Sequence, residues 1–280
     1  MEYVTLNNGV KMPILGYGVF QIGNEETERC VLDAIKVGYR SIDTAQAYGN
    51  EEGVGNAIKE CGIAREELFI TTKVWISNAG EEKAYASILE SLKKLQTDYI
   101  DLLLIHQPFG DYYGTYRAME RAYKEGKVRA IGVSNFYPDR FIDLSLNVDV
   151  KPAINQVETH VFNQQETAKQ IMDKYNTQIE SWGPFAEGKN NFFNNPVLAE
   201  IGAKYGKSVA QVALRYLIQN GVVVIPKSSH IERMEENIKV FDFELTNDDM
   251  AKIKTLDMKQ SLFFNHYDPN IVEMLNARHK

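Results

Sequence analysis

Cysteine, histidine and long apolar runs are scarce in this 280-residue chain, and each scarcity excludes a class of protein. The two cysteines, Cys30 and Cys61, form neither a metal-ligand spacing nor a disulfide framework. The five histidines include no H-x-H or H-E-x-x-H pattern, so we predict no metal site. No segment approaches the ~18 apolar residues of a membrane span, and no basic region precedes an apolar run at the N-terminus. We therefore expect a cytoplasmic protein with no membrane partner.

An excess of positive charge is also absent. Lysine and arginine total 31 against 38 aspartate and glutamate residues, which gives a net charge of −7. A protein that coats a polyanion needs the opposite balance, so we expect no nucleic-acid partner. With 44% hydrophobic residues and no linker, we expect residues 1–280 to form one domain with a full-sized core. No exposed apolar seam is evident, so we expect a monomer.

What the chain does contain is a regular alternation of short apolar runs and amphipathic stretches. Residues 3–15 hold two apolar runs around Asn7-Asn8-Gly9, which predicts an N-terminal β-hairpin. The predicted strands of the main fold are Ile14–Phe20, Tyr39–Asp43, Leu68–Lys73, Tyr99–His106, Val128–Asn135, Ala153–Glu158, Thr177–Trp182 and Val222–Ser228. Two later helices begin with patterns typical of capping boxes, Ser208-x-x-Gln211 and Ser229-x-x-Glu232.

Eight strands alternating with helices predict either a closed parallel barrel or a doubly wound open sheet. A doubly wound dinucleotide-binding sheet would carry G-x-G-x-x-G after its first strand. Here Gly16-x-Gly18 has no third glycine, and Gly53-x-Gly55 lies in a helical stretch. We therefore predict an α/β protein, a (β/α)8 TIM barrel preceded by a β-hairpin.

Polar residues fall at the C-terminal ends of six predicted strands. They are Asp43, Lys73, His106, Ser134-Asn135, Gln156 with Glu158, and Lys227-Ser228. In a barrel these strand ends meet at one mouth, where active sites are built. An aspartate and a lysine at neighbouring strand ends can pair, and a charged lysine lowers the pKa of a nearby phenol, which starts near 10. Tyr48, in the loop after Asp43, is that phenol. Each residue alone also fits a structural role.

Four ordered motifs resemble those of the aldo-keto reductases over essentially the whole chain. They are Gly38–Glu51 with Asp43 and Tyr48, Gly132-Val-Ser134-Asn135-Phe136, Asn155-Gln156-Val-Glu158, and Ile225-Pro226-Lys227-Ser228 followed by Arg233, Glu236 and Asn237. Within the family the chain is most similar to short bacterial members that reduce methylglyoxal and diketogluconate-type dicarbonyls, with relatives described as prostaglandin F synthases.

The resemblance implies NADPH-dependent reduction of aldehydes and ketones by a tetrad of Asp43, Tyr48, Lys73 and His106. Tyr48 would give the carbonyl oxygen its proton, and Lys73 would favour the phenolate that remains. Asp43 would keep Lys73 charged, and His106 would orient the carbonyl by a hydrogen bond.

The resemblance also implies residues that bind the cofactor and the substrate. Trp182 would stack on the nicotinamide ring, at a position where many relatives carry tyrosine. The other expected cofactor residues are Ser134, Asn135 and Gln156 at the carboxamide, Gly183 and Pro184 at the pyrophosphate, Lys227, Ser228 and Arg233 at the 2′-phosphate, and Ser229, Glu236 and Asn237. The expected substrate-pocket residues are Phe20, Trp75 and Gln107.

Three other functions are compatible with a barrel of this kind. A regulatory barrel could bind the nucleotide with little turnover, because a fold does not dictate an activity. An isomerase or lyase could use Lys73 as a Schiff base, although a lysine beside Asp43 is held as ammonium. Metal-assisted hydrolysis would need several histidines at strand ends, and the sequence offers one, His106.

Overall fold

The computed structural model describes residues 1–278, and it begins with the predicted hairpin. Strands β1 (Tyr3–Thr5) and β2 (Lys11–Pro13) pair antiparallel. Side chains of the intervening turn reach the main fold, where Asn7 and Asn8 donate to the carbonyls of Pro152 and Arg129. Both carbonyls lie near the start of a strand, so the hairpin covers the N-terminal end of the sheet.

A parallel eight-stranded sheet forms the centre of the fold, and its strands are neighbours in chain order. They are β3 (Tyr17–Gly18), β4 (Ser41–Asp43), β5 (Phe69–Val74), β6 (Ile100–Ile105), β7 (Val128–Ser134), β8 (Ile154–Glu158), β9 (Gln178–Trp182) and β10 (Val223–Val224). A parallel bridge between Leu15 and Val224 brings the first and last strands together. The predicted (β/α)8 architecture is therefore confirmed.

The two strands at the closure are much shorter than predicted. Ile14–Phe20 contributes only Tyr17–Gly18, and Val222–Ser228 contributes only Val223–Val224. Part of the reason is Pro226, which has no N–H for a ladder and is held instead through its carbonyl, at 3.2 Å from the Gly18 nitrogen. A Cβ at Gly18 would lie 3.0 Å from the Ile225 carbonyl oxygen, so any larger residue there would push the two backbones apart at the closure.

Helices surround the sheet, and their apolar faces pack on it. They are α1 (Asn24–Val37), α2 (Glu51–Glu60), α3 (Glu81–Lys94), α4 (Tyr112–Lys124), α5 (Pro138–Leu146), α6 (Glu166–Lys174), α7 (Pro196–Tyr205), α8 (Val209–Gln219), α9 (Ile231–Ile238), α10 (Asn247–Lys254) and α11 (Pro269–Ala277). Short 3₁₀ segments occupy Gln46–Tyr48, Arg65–Glu67 and Ile76–Asn78, and Ala186–Asn194 contains 3₁₀ turns on either side of a non-helical kink. Within residues 1–278, no helix has the length and apolarity needed to cross a membrane.

One of the two predicted capping boxes is confirmed. Ser208 and Gln211 exchange both hydrogen bonds at the start of α8. The second prediction is wrong, because α9 begins after His230, and no side chain caps it. The hydroxyl of Ser228, rather than that of Ser229, accepts from the His230 nitrogen at 3.0 Å.

Burial in the core explains why several of these strands are rich in apolar residues. All six residues of β5 and of β6 are buried, as expected for strands covered on both faces. Lys73, near the mouth, is the largest charged side chain to be fully buried, and Asp101 at the N-terminal end of β6 is buried between Arg65 and Arg129. The sheet thus fixes polar groups at its C-terminal end, while its other end is covered by the hairpin.

Candidate active site

A cavity of about 500 Å³ opens at the C-terminal ends of the strands. The predicted site residues that line it are Phe20, Asp43, Tyr48, Trp75, His106, Gln107, Ser134, Asn135, Gln156, Trp182, Gly183, Pro184, Lys227 and Arg233. Four other predicted cofactor residues, Ser228, Ser229, Glu236 and Asn237, lie outside its lining. The cavity therefore joins the strand-end cluster to the basic residues after β10.

Lys73 is fixed by three oxygen atoms. Its ammonium donates to Asp43 Oδ1 at 2.6 Å, to the Thr44 carbonyl at 2.9 Å and to the Tyr48 hydroxyl at 3.3 Å. Asp43 ends β4 and Lys73 lies in the neighbouring β5, so strand pairing sets their approach. Tyr48 is the last residue of the 3₁₀ segment that follows. A buried charge pair aimed at a phenol can hold a proton donor in one orientation.

Burial raises the pKa of the Tyr48 phenol, and the Lys73 charge offsets only part of that rise. Lys73 lowers the Tyr48 pKa, as predicted, but desolvation of the phenolate outweighs this attraction, so the net direction is upward. Burial also disfavours the Lys73 ammonium, but Asp43 and Tyr48 outweigh it and raise the Lys73 pKa. At neutral pH, Tyr48 is thus protonated and Lys73 is charged.

His106 stands beside the phenol as a neutral ring. Its ring centre is 5.5 Å from that of Tyr48 and 5.0 Å from that of Trp75, both in edge-on arrangements. Burial, followed by the charges of Lys73 and Arg278, holds the His106 pKa well below its usual value. A neutral imidazole at the cavity wall can donate one hydrogen bond without adding charge.

Amides and a hydroxyl surround the indole of Trp182. The Trp182 ring nitrogen donates to Asn135 Oδ1 at 2.9 Å. Asn135, at a φ of +64°, donates in turn to the His106 carbonyl and the Ser134 hydroxyl. The Gln156 amide nitrogen donates to Asp43 Oδ2 at 2.9 Å. This set orients a half-buried aromatic face beside amide groups, which is the chemistry needed to hold a nicotinamide with its carboxamide.

The predicted phosphate end is open to solvent. Lys227 and Arg233 are exposed, and among residues 1–278 neither side chain has a hydrogen-bond or ion-pair partner. Glu236 behaves differently, because its carboxylate accepts from the Ser208 hydroxyl and so ties α9 to α8. Ser228 is also engaged, with its carbonyl accepting from Tyr17. Two unpaired cations on one wall fit a phosphate dianion.

The substrate wall is aromatic. Phe20 is 41% exposed, so it is not a core residue, and its ring centre lies 4.9 Å from that of Tyr48. Trp75 is 5% exposed, and its indole nitrogen donates to the Arg278 carbonyl. Gln107 reaches the cavity with its carbonyl oxygen already 2.8 Å from His266 Nε2.

The sequence analysis missed the C-terminal part of this wall. Residues after α10 cross the barrel mouth and place Phe263, Phe264, Met274, Leu275 and Arg278 in the cavity lining. This short segment partly covers the cavity. The available signal was the aromatic pair Phe263-Phe264 in an otherwise polar stretch.

Glu180 is another residue close to the site that the sequence analysis did not single out. It is fully buried in β9, and Gln156 donates to its Oε2 at 3.0 Å. Burial, and then the charge of Asp43, raises the pKa of the Glu180 carboxyl to about 8. An acidic residue in the middle of the predicted strand Thr177–Trp182 was the signal that could have identified it.

Comparisons with known proteins point to one family. The model of the family described as aldo/keto reductase family matches residues 14–258. Glyoxal reductase of Bacillus subtilis is 49% identical over 98% of both chains. Methylglyoxal reductase DkgA of Escherichia coli is 43% identical over 92% of this chain and 94% of its own. The crystal structure of an aldo-keto reductase from Bombyx mori in complex with NADP has a TM-score of 0.90 and 34% identity, and it covers 97% of this chain and 96% of that one.

Proposed function

Because this chain belongs to the aldo/keto reductase family, we propose that it reduces aldehydes and ketones, including α-dicarbonyls such as methylglyoxal, to alcohols with NADPH. The observation that carries the proposal is the buried chain of Asp43, Lys73 and Tyr48 that opens on the cavity beside His106. The activities named for two relatives support the substrate class, and the NADP complex of a structural neighbour supports the cofactor.

Tyr48 is the proton donor in this proposal. NADPH, when bound, supplies the hydride for the carbonyl carbon. The carbonyl oxygen then takes the proton of the Tyr48 hydroxyl, and the phenolate that remains lies 3.3 Å from the Lys73 ammonium. Each pKa unit of stabilisation that Lys73 gives the phenolate is worth about 1.4 kcal/mol. The neutral His106 ring donates a hydrogen bond to the same oxygen and orients it.

The cofactor-binding residues follow the shape of the cavity. Trp182 would stack on the nicotinamide ring, and Ser134, Asn135 and Gln156 would hold its carboxamide. Gly183 and Pro184 would lie along the pyrophosphate. Lys227 and Arg233 would pair with the 2′-phosphate and favour NADPH over NADH. Ser228 stays a prediction for the 2′-phosphate beside these cations, and Ser229, Glu236 and Asn237 stay predictions for cofactor binding.

The geometry disfavours a Schiff-base role for Lys73. A lysine that attacks a carbonyl must lose its proton and leave its partners, whereas this ammonium is held by Asp43 and the Thr44 carbonyl with a raised pKa. A regulatory barrel with little turnover would use the same cofactor contacts, so turnover distinguishes the two functions.

The test is NADPH oxidation, followed by absorbance, with methylglyoxal, phenylglyoxal and 4-nitrobenzaldehyde. We expect turnover with at least one of them without added metal, and the same rate after treatment with a chelator. Nucleotide binding without turnover on any of the three would support the regulatory alternative. Activity that is lost on chelation and restored by a divalent ion would contradict the proposed chemistry.

We also propose that the enzyme is a monomer in the cytoplasm. Cys30 and Cys61 are both free thiols, which suits a reducing compartment. Light scattering on the purified protein measures the oligomeric state, and a stable dimer would contradict the first part of this proposal.

A further inference from the structure

A second carboxyl group is buried beside the Asp43–Lys73 pair. Glu180 lies in the middle of β9, opposite Gln156 of β8. The Gln156 amide nitrogen donates both to Glu180 Oε2 at 3.0 Å and to Asp43 Oδ2 at 2.9 Å. The other oxygen of Asp43 accepts from Lys73 at 2.6 Å. One continuous hydrogen-bond chain therefore runs from Glu180 to the ammonium that contacts Tyr48.

The charges around Glu180 are few. Asp43 on β4 raises its proton affinity, and Lys73 on β5 lowers it. β8 places the neutral Gln156 amide against it, and β10 pairs it with Val223. Within residues 1–278 its Oε1 has no hydrogen-bond partner. A buried carboxylate with one donor is poorly stabilised, so the protonated form is favoured at neutral pH.

We propose that Glu180 is a positioning residue of the reduction site, whose buried carboxyl acts through Gln156 and Asp43 on Lys73 and so sets the pH at which Tyr48 loses its proton. This proposal rests on the function of Tyr48 proposed above. Glu180 is then a fifth ionisable group of the site, and the single positive charge of Lys73 interacts with two carboxyls, Asp43 and Glu180.

The direction of the effect follows from the charges. While Glu180 holds its proton, Lys73 is opposed only by Asp43, and its charge acts on the Tyr48 phenol. When Glu180 ionises, a second negative charge offsets Lys73, and the Tyr48 phenol holds its proton to a higher pH. The three ionisations are coupled, so the pH profile reports apparent values of the whole cluster.

The experiment compares kcat for 4-nitrobenzaldehyde from pH 7 to 11.5, a range that extends beyond the ordinary phenol pKa of about 10, at saturating NADPH, in the wild type and in Glu180→Gln. Glutamine keeps the size of the side chain and an oxygen that can accept from Gln156, but it cannot ionise. We expect the midpoint of the fall in kcat at high pH to move down by about 0.5–1 pH unit. Glu180→Asp, which still ionises, should return the midpoint towards the wild-type value.

Glu51→Gln is the matched control. Glu51 is another buried carboxyl, held by the Thr72 hydroxyl at 2.7 Å, and none of its hydrogen bonds within residues 1–278 reaches a site residue. We expect the midpoint of the fall in kcat at high pH to be the same in Glu51→Gln as in the wild type. Glu180→Met, which has a similar volume and no charge, should shift the midpoint as Gln does and serves if the Gln variant folds poorly.

A second measurement does not depend on turnover. Titration of tyrosinate absorbance in the cofactor-free protein, with the same titration of Tyr48→Phe subtracted, isolates the Tyr48 phenol. We expect it to ionise at lower pH in the Glu180→Gln background. A purely structural function of Glu180 would scale kcat at every pH and leave both midpoints in place, and that result would overturn the inference. A wild type without turnover, but with the shifted phenol, would contradict the proposed function and leave the electrostatic inference standing.

Discussion

The two ends of the cavity are built in opposite ways. At one end, Asp43 and Lys73 are 2% and 0% exposed, lie on adjacent strands and hold each other at 2.6 Å. At the other, Lys227 and Arg233 are exposed, follow the last strand and, in the part of the chain that the structure describes, have no side-chain partners. A group that acts on a reacting atom needs a fixed geometry, whereas a group that attracts a phosphate can remain solvated. The difference predicts different consequences for variants at each end.

Removal of the buried lysine should have the largest effect. Lys73→Met leaves Asp43 as an uncompensated buried charge, so we expect about 3–5 kcal/mol less free energy of unfolding, measured by urea denaturation. The double variant Lys73→Met/Asp43→Leu removes the orphaned charge and should lose less stability than the single variant. If Lys73→Met were as stable as the wild type, the buried pair would not be organised as the structure has it.

Arg233→Ala tests phosphate binding at the exposed end of the cavity. Loss of a charge-assisted contact worth about 1.5–3 kcal/mol should weaken NADPH affinity about ten- to a hundredfold, as measured by fluorescence titration. NADH affinity should barely change, and the free energy of unfolding should stay within about 0.5 kcal/mol of the wild type. Arg117→Ala, at a surface ion pair with Glu81, is the control. Equal losses for both nucleotides would show that Arg233 does not bind the 2′-phosphate.

The smallest expected effect is the pH response of His106. Burial holds its pKa well below 6.5, so the ring stays neutral as the pH falls through the usual range of histidine. With saturating NADPH, we expect kcat to change less than about twofold between pH 5.5 and 7. A change in kcat with a midpoint near pH 6.5 that disappears in His106→Gln would contradict the conclusion that the His106 ring is neutral.

Most of the fold could be predicted from the sequence because buried parallel strands are nearly all apolar. Six of the eight strands agree with the predicted runs to within about two residues, although β8 and β9 also carry several buried polar residues. The two strands at the closure, Tyr17–Gly18 and Val223–Val224, are shorter than predicted. Their length depends on a close backbone approach at Gly18, which the periodicity of the sequence does not encode.

The site was predictable to the extent that its residues lie at strand ends. Asp43, Tyr48, Lys73 and His106 meet as the motifs indicated. Two features depend on tertiary packing and were missed. Desolvation reverses the expected direction of the Tyr48 pKa, and the segment that carries Phe263 and Phe264 crosses the mouth from a distant part of the chain.

Tyr48→Phe tests the central claim, that the buried phenol gives the proton, most directly. The ring is kept and only the hydroxyl is removed, so NADPH affinity and the free energy of unfolding should stay close to those of the wild type. The single-turnover rate of 4-nitrobenzaldehyde reduction by the preformed NADPH complex should fall by roughly 10²–10⁴. A near wild-type rate, with hydride transfer still limiting, would contradict the assignment of Tyr48 as the acid.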